Sequence, residues 1–166
     1  MNLDRSEPSE GNGFQTASAQ LILDSYRRLT GRQLVSRDGS PVDQARAMYF
    51  APFVVLAHDS AADPVFFYAN MAAQHLFEMS WHELVQLPSR YSAEPLAREE
   101  RARLLQRVGQ HGFIDDYSGV RVARSGKRFE VRQATVWSLL ALDGQLIGQA
   151  ASFSQWEILL EAGGLS

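Results

Sequence analysis

The sequence predicts an α+β domain, in which a small five-stranded antiparallel sheet carries helices on one face and is preceded by further helices. Two short apolar runs suited to strands come first, and three longer ones follow after a stretch of helical periodicity. Turn residues separate the neighbours in each group, as antiparallel hairpins require. With 166 residues, 45% of them apolar, the chain is expected to fold around one core.

A polar segment and a helix open the chain. Residues 1–16 combine Ser, Glu, Asn, Gly and Pro with few large apolar side chains, so we expect a disordered tail there. Residues 17–50 are expected to form a helical segment. Its first helix is indicated by Ile22, Tyr26 and Leu29, whose spacing places them on one helical stripe.

A second helix and the first hairpin follow. Ser40 is a suitable N-cap for a helix from Pro41 to Tyr49, because proline is favoured at the first helical position. The core of the domain is predicted over residues 51–158. It begins with a buried strand, Phe53 to Ala57, which a turn connects to Val65 to Ala69.

Three helices are predicted between this hairpin and the remaining strands. Asn70 is an N-cap for the first, and apolar residues at helical spacing follow it. Ser80 and Glu83 have the spacing of a capping box, which starts the second. The third is predicted from Ala93 to His111, with acidic residues early and basic residues late, as the helix dipole favours.

The last three strands complete the predicted sheet, and residues 159–166 are expected to form a C-terminal tail. The strands are predicted over Phe113 to Ala123, Arg128 to Leu139 and Leu146 to Phe153. Gly126 supplies the positive φ that the tight turn between the first two needs. Alternation along the middle strand places four side chains on one packed face, namely Phe129, Val131, Thr135 and Trp137.

Composition excludes several classes of protein. A net charge of −3 gives no field that would favour nucleic acid, which is therefore not an expected partner. There is no Cys, so disulfides and thiolate-bound metals are excluded. No apolar run approaches the roughly 18 residues of a membrane span, and we expect a cytoplasmic protein with no membrane partner.

Catalytic and metal-binding patterns are weak. Four histidines are scattered over separate elements without the spacing of helix-borne zinc ligands, and we expect no metal: His58, His75, His82 and His111. Asp115 and Asp116 are neighbours on a predicted strand, so their side chains point to opposite faces and do not converge on one substrate atom. No nucleophile elbow or phosphate loop is present. The sequence therefore favours binding over catalysis.

Several stretches in a fixed order carry a family resemblance. They are Leu87-Pro88-Ser89-Arg90, Ser92-Ala93-Glu94-Pro95, Arg98 to Leu105, Tyr117-Ser118-Gly119-Val120-Arg121, Ala134-Thr135-Val136-Trp137 and Gly148-Gln149-Ala150-Ala151-Ser152-Phe153. Together they resemble the MEKHLA domain family over roughly residues 17 to 156, in its stand-alone bacterial form. Other members of that family lie at the C-terminal end of plant homeodomain-zipper transcription factors. Nothing in this chain resembles the homeodomain or its zipper.

The resemblance implies a PAS-like fold and a sensory or interaction role, because MEKHLA domains are related to PAS domains. Tyr68-Ala69-Asn70 is similar to the strand-to-helix segment of PAS domains. Ser89 stands where the flavin-binding light-oxygen-voltage subgroup has the Cys that forms its photo-adduct. Adduct photochemistry is therefore not expected, and the resemblance leaves the cofactor unknown.

Five side chains are the candidate ligand-binding residues of the predicted sheet and its neighbourhood: Arg90, Arg121, Gln133, Trp137 and Gln149. Arginines near a packed sheet can bind a carboxylate or phosphate, although a structural ion pair is the alternative. The two glutamines add polar groups to an apolar site. Trp137 either borders the ligand or fills the core.

These observations lead to one functional hypothesis and two alternatives. We expect a non-catalytic, PAS-like sensory module that binds a small molecule or a partner protein and signals by forming a homodimer. The first alternative is an enzyme that uses a polar pocket of the same sheet on a small carboxylated metabolite, recognised by Arg90 or Arg121. The second alternative is a purely structural dimerisation domain with a filled interior.

Overall fold

The computed structural model describes residues 3–93 and 98–159. Its helices are α1 (Thr16–Thr30), α2 (Pro41–Tyr49), α3 (Met71–Phe77), α4 (Trp81–Leu84) and α5 (Arg98–His111), with 3-10 turns at Glu10–Asn12 and Ser89–Ser92. Its strands are β1 (Val54–Asp59), β2 (Phe66–Ala69), β3 (Phe113–Val122), β4 (Arg128–Leu140), β5 (Leu146–Phe153) and β6 (Gln155–Ile158). Ala93, the predicted start of the third core helix, is extended and ends the turn Ser89–Ser92. Residues 94–97 of that predicted helix and 160–166 of the predicted C-terminal tail lie outside the described residues. No helix in the described ranges is long and apolar enough to cross a bilayer.

The strands form one antiparallel sheet in the order β2-β1-β5-β4-β3. This confirms the predicted five-stranded α+β architecture with N-terminal helices. β6 adds a short extension, because the chain bends at Ser154 and β6 pairs with the first half of β4 while β5 pairs with the second half. Close packing of β5 against β1 requires glycine at position 148, because a Cβ there would lie 2.0 Å from the His58 carbonyl oxygen.

A β-bulge divides β4 into two halves. Tyr117 of β3 lies opposite Ala134, but Gly119, two residues on, lies opposite Val131, three residues back, so β4 carries one extra residue. Gln133 takes this position with a φ of 51°. The extra residue reverses the alternation of side chains, and Trp137 therefore faces the side opposite Phe129 and Val131. The prediction that Phe129, Val131, Thr135 and Trp137 share one face was wrong for this reason.

The two faces of the sheet bury different clusters. We call the side of Phe129, Val131 and Val136 the inner face, which α3 and α5 cover. The side of Trp137 is the outer face, which α1 and α2 cover. The apolar stripe of α1 predicted from the sequence packs on this outer face, where Ile22 and Tyr26 are buried.

Asn70 joins three elements at the edge of the sheet. Its Oδ1 accepts hydrogen bonds from the Ala73 amide at 3.1 Å and from the Val55 amide at 3.0 Å. Its Nδ2 donates to the carbonyl oxygens of Met48 at 3.1 Å and Phe53 at 2.8 Å. Asn70 is therefore the N-cap of α3, as predicted, and also fixes the end of α2 against β1.

Residues 3–15, which we call the strap, fold against the domain, whereas the sequence suggested a disordered tail. Pro8 and Phe14 of the strap are buried. Arg5 donates to the Phe66 carbonyl oxygen and forms an ion pair with Asp59 at 2.6 Å. A few well-placed anchors order this segment, and average composition does not reveal such anchors.

Candidate ligand pocket

A cavity of about 70 Å³ lies between the inner face of the sheet, α5 and the turn Ser89–Ser92. Most of its wall is apolar, and the main contributors are Leu56, Phe66, Leu104, Val131, Val136 and Phe153. Ala134 and Ala151 open this space, because larger side chains at these positions would extend into it. A mostly apolar enclosure with a few polar groups is typical of small-molecule sites.

Tyr117 and Arg121 provide the polar group on the β3 side of the cavity. They are four residues apart on one strand and so share a face. Arg121 Nη2 donates a hydrogen bond to Tyr117 Oη at 2.9 Å, and the guanidinium carbon lies 5.4 Å from the centre of the Tyr117 ring. Gly119 lies between them, and a Cβ there would be 2.2 Å from Tyr117 Oη. Only glycine lets the phenol lie across the strand.

The Arg121 guanidinium is half-buried at this wall. Within residues 3–93 and 98–159, no carboxylate lies within ion-pair distance of it, and Tyr117 is its hydrogen-bonding partner. Several arginines elsewhere do form ion pairs, for example Arg107 with Asp116 at 3.2 Å and Arg90 with Asp63 at 3.0 Å. A cation held partly out of water without a counter-charge is a favourable place for an anion.

A second polar group lies diagonally across the cavity. His58 of β1 and Gln149 of β5 are direct cross-strand partners, and both line the cavity. Nδ1 of His58 lies 2.8 Å from the Asp59 carbonyl oxygen. Ser89 and Ser92 close the adjacent side, where Ser92 Oγ donates to the Ser89 carbonyl oxygen at 2.6 Å. The cavity thus has an arginine at one end and other hydrogen-bonding groups at the opposite end.

The structure brings two of the five candidate residues together and separates the other three. Arg121 and Gln149 both line the cavity. Arg90 instead forms two hydrogen bonds with Asp63, at 3.0 and 3.3 Å, which raise the pKa of its guanidinium, and it stacks on Tyr91. The alternative of a structural ion pair therefore describes Arg90, with Asp63 as a partner that the sequence analysis did not name.

Trp137 and Gln133 lie away from the cavity because of the bulge in β4. Trp137 is fully buried on the outer face, where its Nε1 donates to the Ile22 carbonyl oxygen at 3.2 Å and its ring meets Tyr26 edge to face. Gln133 is exposed at the bulge itself. Their placement in the candidate pocket was wrong, since it assumed uninterrupted alternation along β4.

Sequence reasoning missed four polar residues of the cavity wall: His58, Ser89, Ser92 and Tyr117. Tyr117 was detectable, because strand periodicity places it on the same face as Arg121. Ser89 was named only as the counterpart of a photo-reactive Cys and not as a candidate binding residue. His58 and Ser92 gave no local signal, since their approach depends on the pairing of distant strands and turns.

The neighbouring acidic residues Asp115 and Asp116 lie away from the cavity. Asp115 forms an ion pair with Arg32 at 3.3 Å, and Asp116 pairs with Arg107, both on the exposed edge of the sheet. In the described part of the chain, no three His, Asp or Glu side chains come together as a metal site requires. Among the described residues, the polar side chains that line the cavity are thus Arg, Tyr, His, Gln and Ser, without a carboxylate.

Solved structures share this architecture. A PAS domain from Colwellia psychrerythraea matches with a TM-score of 0.58 at 12% identity, covering 70% of this chain and 94% of that chain. The light-state dimer of the fungal blue-light photoreceptor Vivid matches with a TM-score of 0.56 at 14% identity, covering 81% and 90%. An RNA-binding light-oxygen-voltage receptor matches with a TM-score of 0.57 at 17% identity, covering 72% and 33%. The fold is therefore PAS-like.

A cofactor as large as a flavin does not fit the cavity of this chain. The volume of about 70 Å³ is well below the roughly 300–1,000 Å³ of pockets that enclose drug-sized ligands. Ser89 also offers a hydroxyl at the cavity wall, which does not supply thiol chemistry. A ligand of a few non-hydrogen atoms is compatible with the space.

Sequence relatives point to one family. Two curated rice proteins named homeobox-leucine zipper protein HOX10, from Oryza sativa subsp. indica and subsp. japonica, are each 26% identical to this chain over 152 residues. The match covers 89% of this chain but only 18% of each rice protein. The stand-alone bacterial form stays a prediction. The family model of the MEKHLA domain matches residues 16–158, so this chain belongs to the MEKHLA domain family.

Proposed function

We propose that this PAS-like, sensory-type domain binds a small carboxylate in the cavity, with its acidic group on Arg121 and Tyr117 and a short apolar chain against β4 and β5. One observation carries the proposal: a half-buried guanidinium with no carboxylate partner among the described residues borders an apolar cavity. Neither a filled interior nor a purely structural dimer explains such a charge.

Hydrogen bonding supports an anionic group at this position. Tyr117 Oη accepts from Arg121, so its own proton is available to a ligand oxygen. The guanidinium has further N–H groups in a planar fork that matches a carboxylate. Charge-assisted hydrogen bonds of this kind are about twice as strong as neutral ones. The two side chains thus form a preorganised anion site.

The cavity volume sets the size of the ligand. About 70 Å³ accommodates only a short chain beyond the acidic group. The chain would contact Val131, Val136 and Ala151, and Gln149 and His58 would lie at its far end. A straight-chain monocarboxylate of a few carbons has this combination of charge and apolar surface.

A route for the signal runs through β4 to the outer face. Val136 lines the cavity, and its neighbour Trp137 is hydrogen bonded to the Ile22 carbonyl oxygen of α1 on the opposite face. A shift of β4 on ligand binding would therefore change how α1 packs on the outer face of the sheet. We propose that the output is an association, either with a partner protein or in a homodimer, inside the cytoplasm.

Isothermal titration with a straight-chain series from acetate to hexanoate tests the proposal. One or more members should bind with one site per chain. Arg121→Met should weaken binding roughly 10- to 100-fold, because it removes a charged hydrogen bond worth about 1.5–3 kcal/mol. Arg132→Met is the matched control, since Arg132 pairs with Glu130 and Glu157 away from the cavity, and its affinity should equal that of the wild type.

The proposal would be overturned if no member of the series bound and native mass spectrometry of the freshly purified protein showed only the chain without a ligand. Equal loss of affinity in Arg121→Met and Arg132→Met would also contradict it, because that result would place the ligand outside the cavity or trace the effect to stability.

A further inference from the structure

The turn that joins the strap to α1 has an unusual backbone. Gly13, Phe14 and Gln15 are three consecutive residues in the left-handed region, with φ of 63°, 54° and 56°. Phe14 and Gln15 have side chains, and such residues rarely adopt this conformation singly, still less in succession. Surrounding contacts must therefore hold the turn in place.

Those contacts are made by the strap itself. Phe14 packs against the rings of Tyr49 and Phe50. Gln15 Nε2 donates back to the Ser6 carbonyl oxygen at 2.7 Å. If the strap detaches from the domain, the turn is free to relax into ordinary backbone conformations.

The groove beneath the strap is built for an extended segment with an arginine. Asp59 of β1 receives the Arg5 guanidinium, and the Phe66 carbonyl oxygen of β2 accepts from the same side chain. Trp81 is almost fully buried, and its Nε1 donates to the Arg5 carbonyl oxygen at 2.8 Å. Arg5 makes all three of these groove contacts, so Arg5 of another copy's strap can make the same set.

Simple opening of the strap is unfavourable for the groove. It would leave the buried Trp81 N–H without its acceptor and the Asp59 carboxylate without its cation. Replacement of the strap by one from a second molecule restores both contacts and lets the turn at Gly13–Gln15 relax. Strained hinges of this kind favour exchange of identical segments between copies.

We propose that the groove of Asp59, Phe66 and Trp81 is an interaction surface for a second copy of this chain, whose strap replaces the resident one in a strap-exchanged dimer. The strap lies outside the family match, which begins at residue 16, whereas the groove residues lie inside it. Phe66 belongs to both sites, because its carbonyl oxygen accepts from Arg5 in the groove and the residue also lines the ligand cavity. Arg121 and Tyr117, which would hold the carboxylate, make no contact with residues 3–15 of the strap, and the crosslink that tests the exchange is measured without any carboxylate.

Single-cysteine variants of the full chain test the exchange, because the natural sequence has no Cys. Glu7 in the strap and His82 in α4 lie 3.5 Å apart between Oε2 and Nε2, and both are exposed. Glu7→Cys and His82→Cys chains of different mass are mixed at high concentration, incubated, and treated with a short bismaleimide. A crosslink between the two masses requires the strap of one molecule to reach the groove of another.

The matched control mixes Glu7→Cys with Gln110→Cys, whose site is exposed on α5 at the opposite edge of the sheet. We expect at least fivefold more mixed dimer with His82→Cys than with this control, and more at higher protein concentration. Gln15→Gly in both chains should lower the yield severalfold, because glycine adopts a positive φ readily and removes strain that only the closed form carries. A yield equal to the control, or one that Gln15→Gly leaves unchanged, would overturn the proposal.

Discussion

Replacement of Asn70 by Ala should be among the most destabilising single changes in this domain. The side chain is fully buried and makes four hydrogen bonds to backbone groups of α2, β1, α3 and the segment before β1. Ala fits the space but makes none of these bonds. The amides of Val55 and Ala73 and the carbonyls of Met48 and Phe53 would lose a partner at once.

The expected loss in free energy of unfolding can be worked out starting from the two amides. A buried donor that is left unsatisfied costs about 1–3 kcal/mol, so two of them cost about 2–6 kcal/mol. Water entering the vacated space offsets part of this, while the two carbonyls add to it, and we expect about 4 kcal/mol. Small domains are stable by only about 5–15 kcal/mol, so Asn70→Ala should remove between about a quarter and most of the stability of this chain.

Urea unfolding followed by circular dichroism measures the effect. Ser80→Ala is the matched control, because Ser80 is also an N-cap that accepts a hydrogen bond, from the Glu83 amide at 3.2 Å, but is exposed to solvent. Its loss should cost about 1 kcal/mol. Similar costs for Asn70→Ala and Ser80→Ala would refute the reasoning, since burial would then have no influence on the cost of an unmade bond.

Three further changes test other parts of the molecule. Trp137→Phe should lower the free energy of unfolding by about 1–3 kcal/mol, because the Ile22 carbonyl loses its donor, yet leave carboxylate affinity within about twofold in a titration. Gly119→Ala should weaken that affinity about tenfold, since the new Cβ displaces the Tyr117 phenol, and unchanged affinity would contradict the proposed anion site. Burial acts to raise the pKa of Asp59, but hydrogen bonds from two backbone amides and from Arg5 lower it below the ordinary 3.8. This stabilisation is therefore present above about pH 4 and lost as the pH falls through the lower folded pKa, so the urea midpoint should fall less in Asp59→Asn than in the wild type on going from pH 5 to pH 2.

Local signals predicted the elements well. The N-caps Ser40, Asn70 and Ser80 each begin a helix in the structure, because a side-chain oxygen satisfies an exposed amide whatever the tertiary context. The predicted strand Leu146 to Phe153 has the observed bounds. Elements defined by a few neighbouring residues are thus readable from the sequence.

Features that depend on distant partners were not predictable in the same way. The bulge at Gln133 lies where the partner of β4 changes from β6 to β5, and it places Trp137 on the face opposite Phe129 and Val131. Arg90 forms an ion pair with Asp63, which is 27 residues away in the sequence. The strap is ordered by Arg5 across a separation of 54 residues to Asp59. In each case one long-range contact outweighs the local pattern.

A nuclear magnetic resonance titration of the labelled protein with the tightest-binding carboxylate tests the central claim most directly. Backbone amide shifts should change at Tyr117, Arg121 and Gln149. They should also change at the cavity-lining residues of β4, Val131, Ala134 and Val136, and all of these shifts should follow one binding curve. Amides of the exposed edge around Asp115 should remain unchanged. The account is contradicted if saturating ligand moves no cavity resonance, or if the shifts are confined to the outer surface of α1.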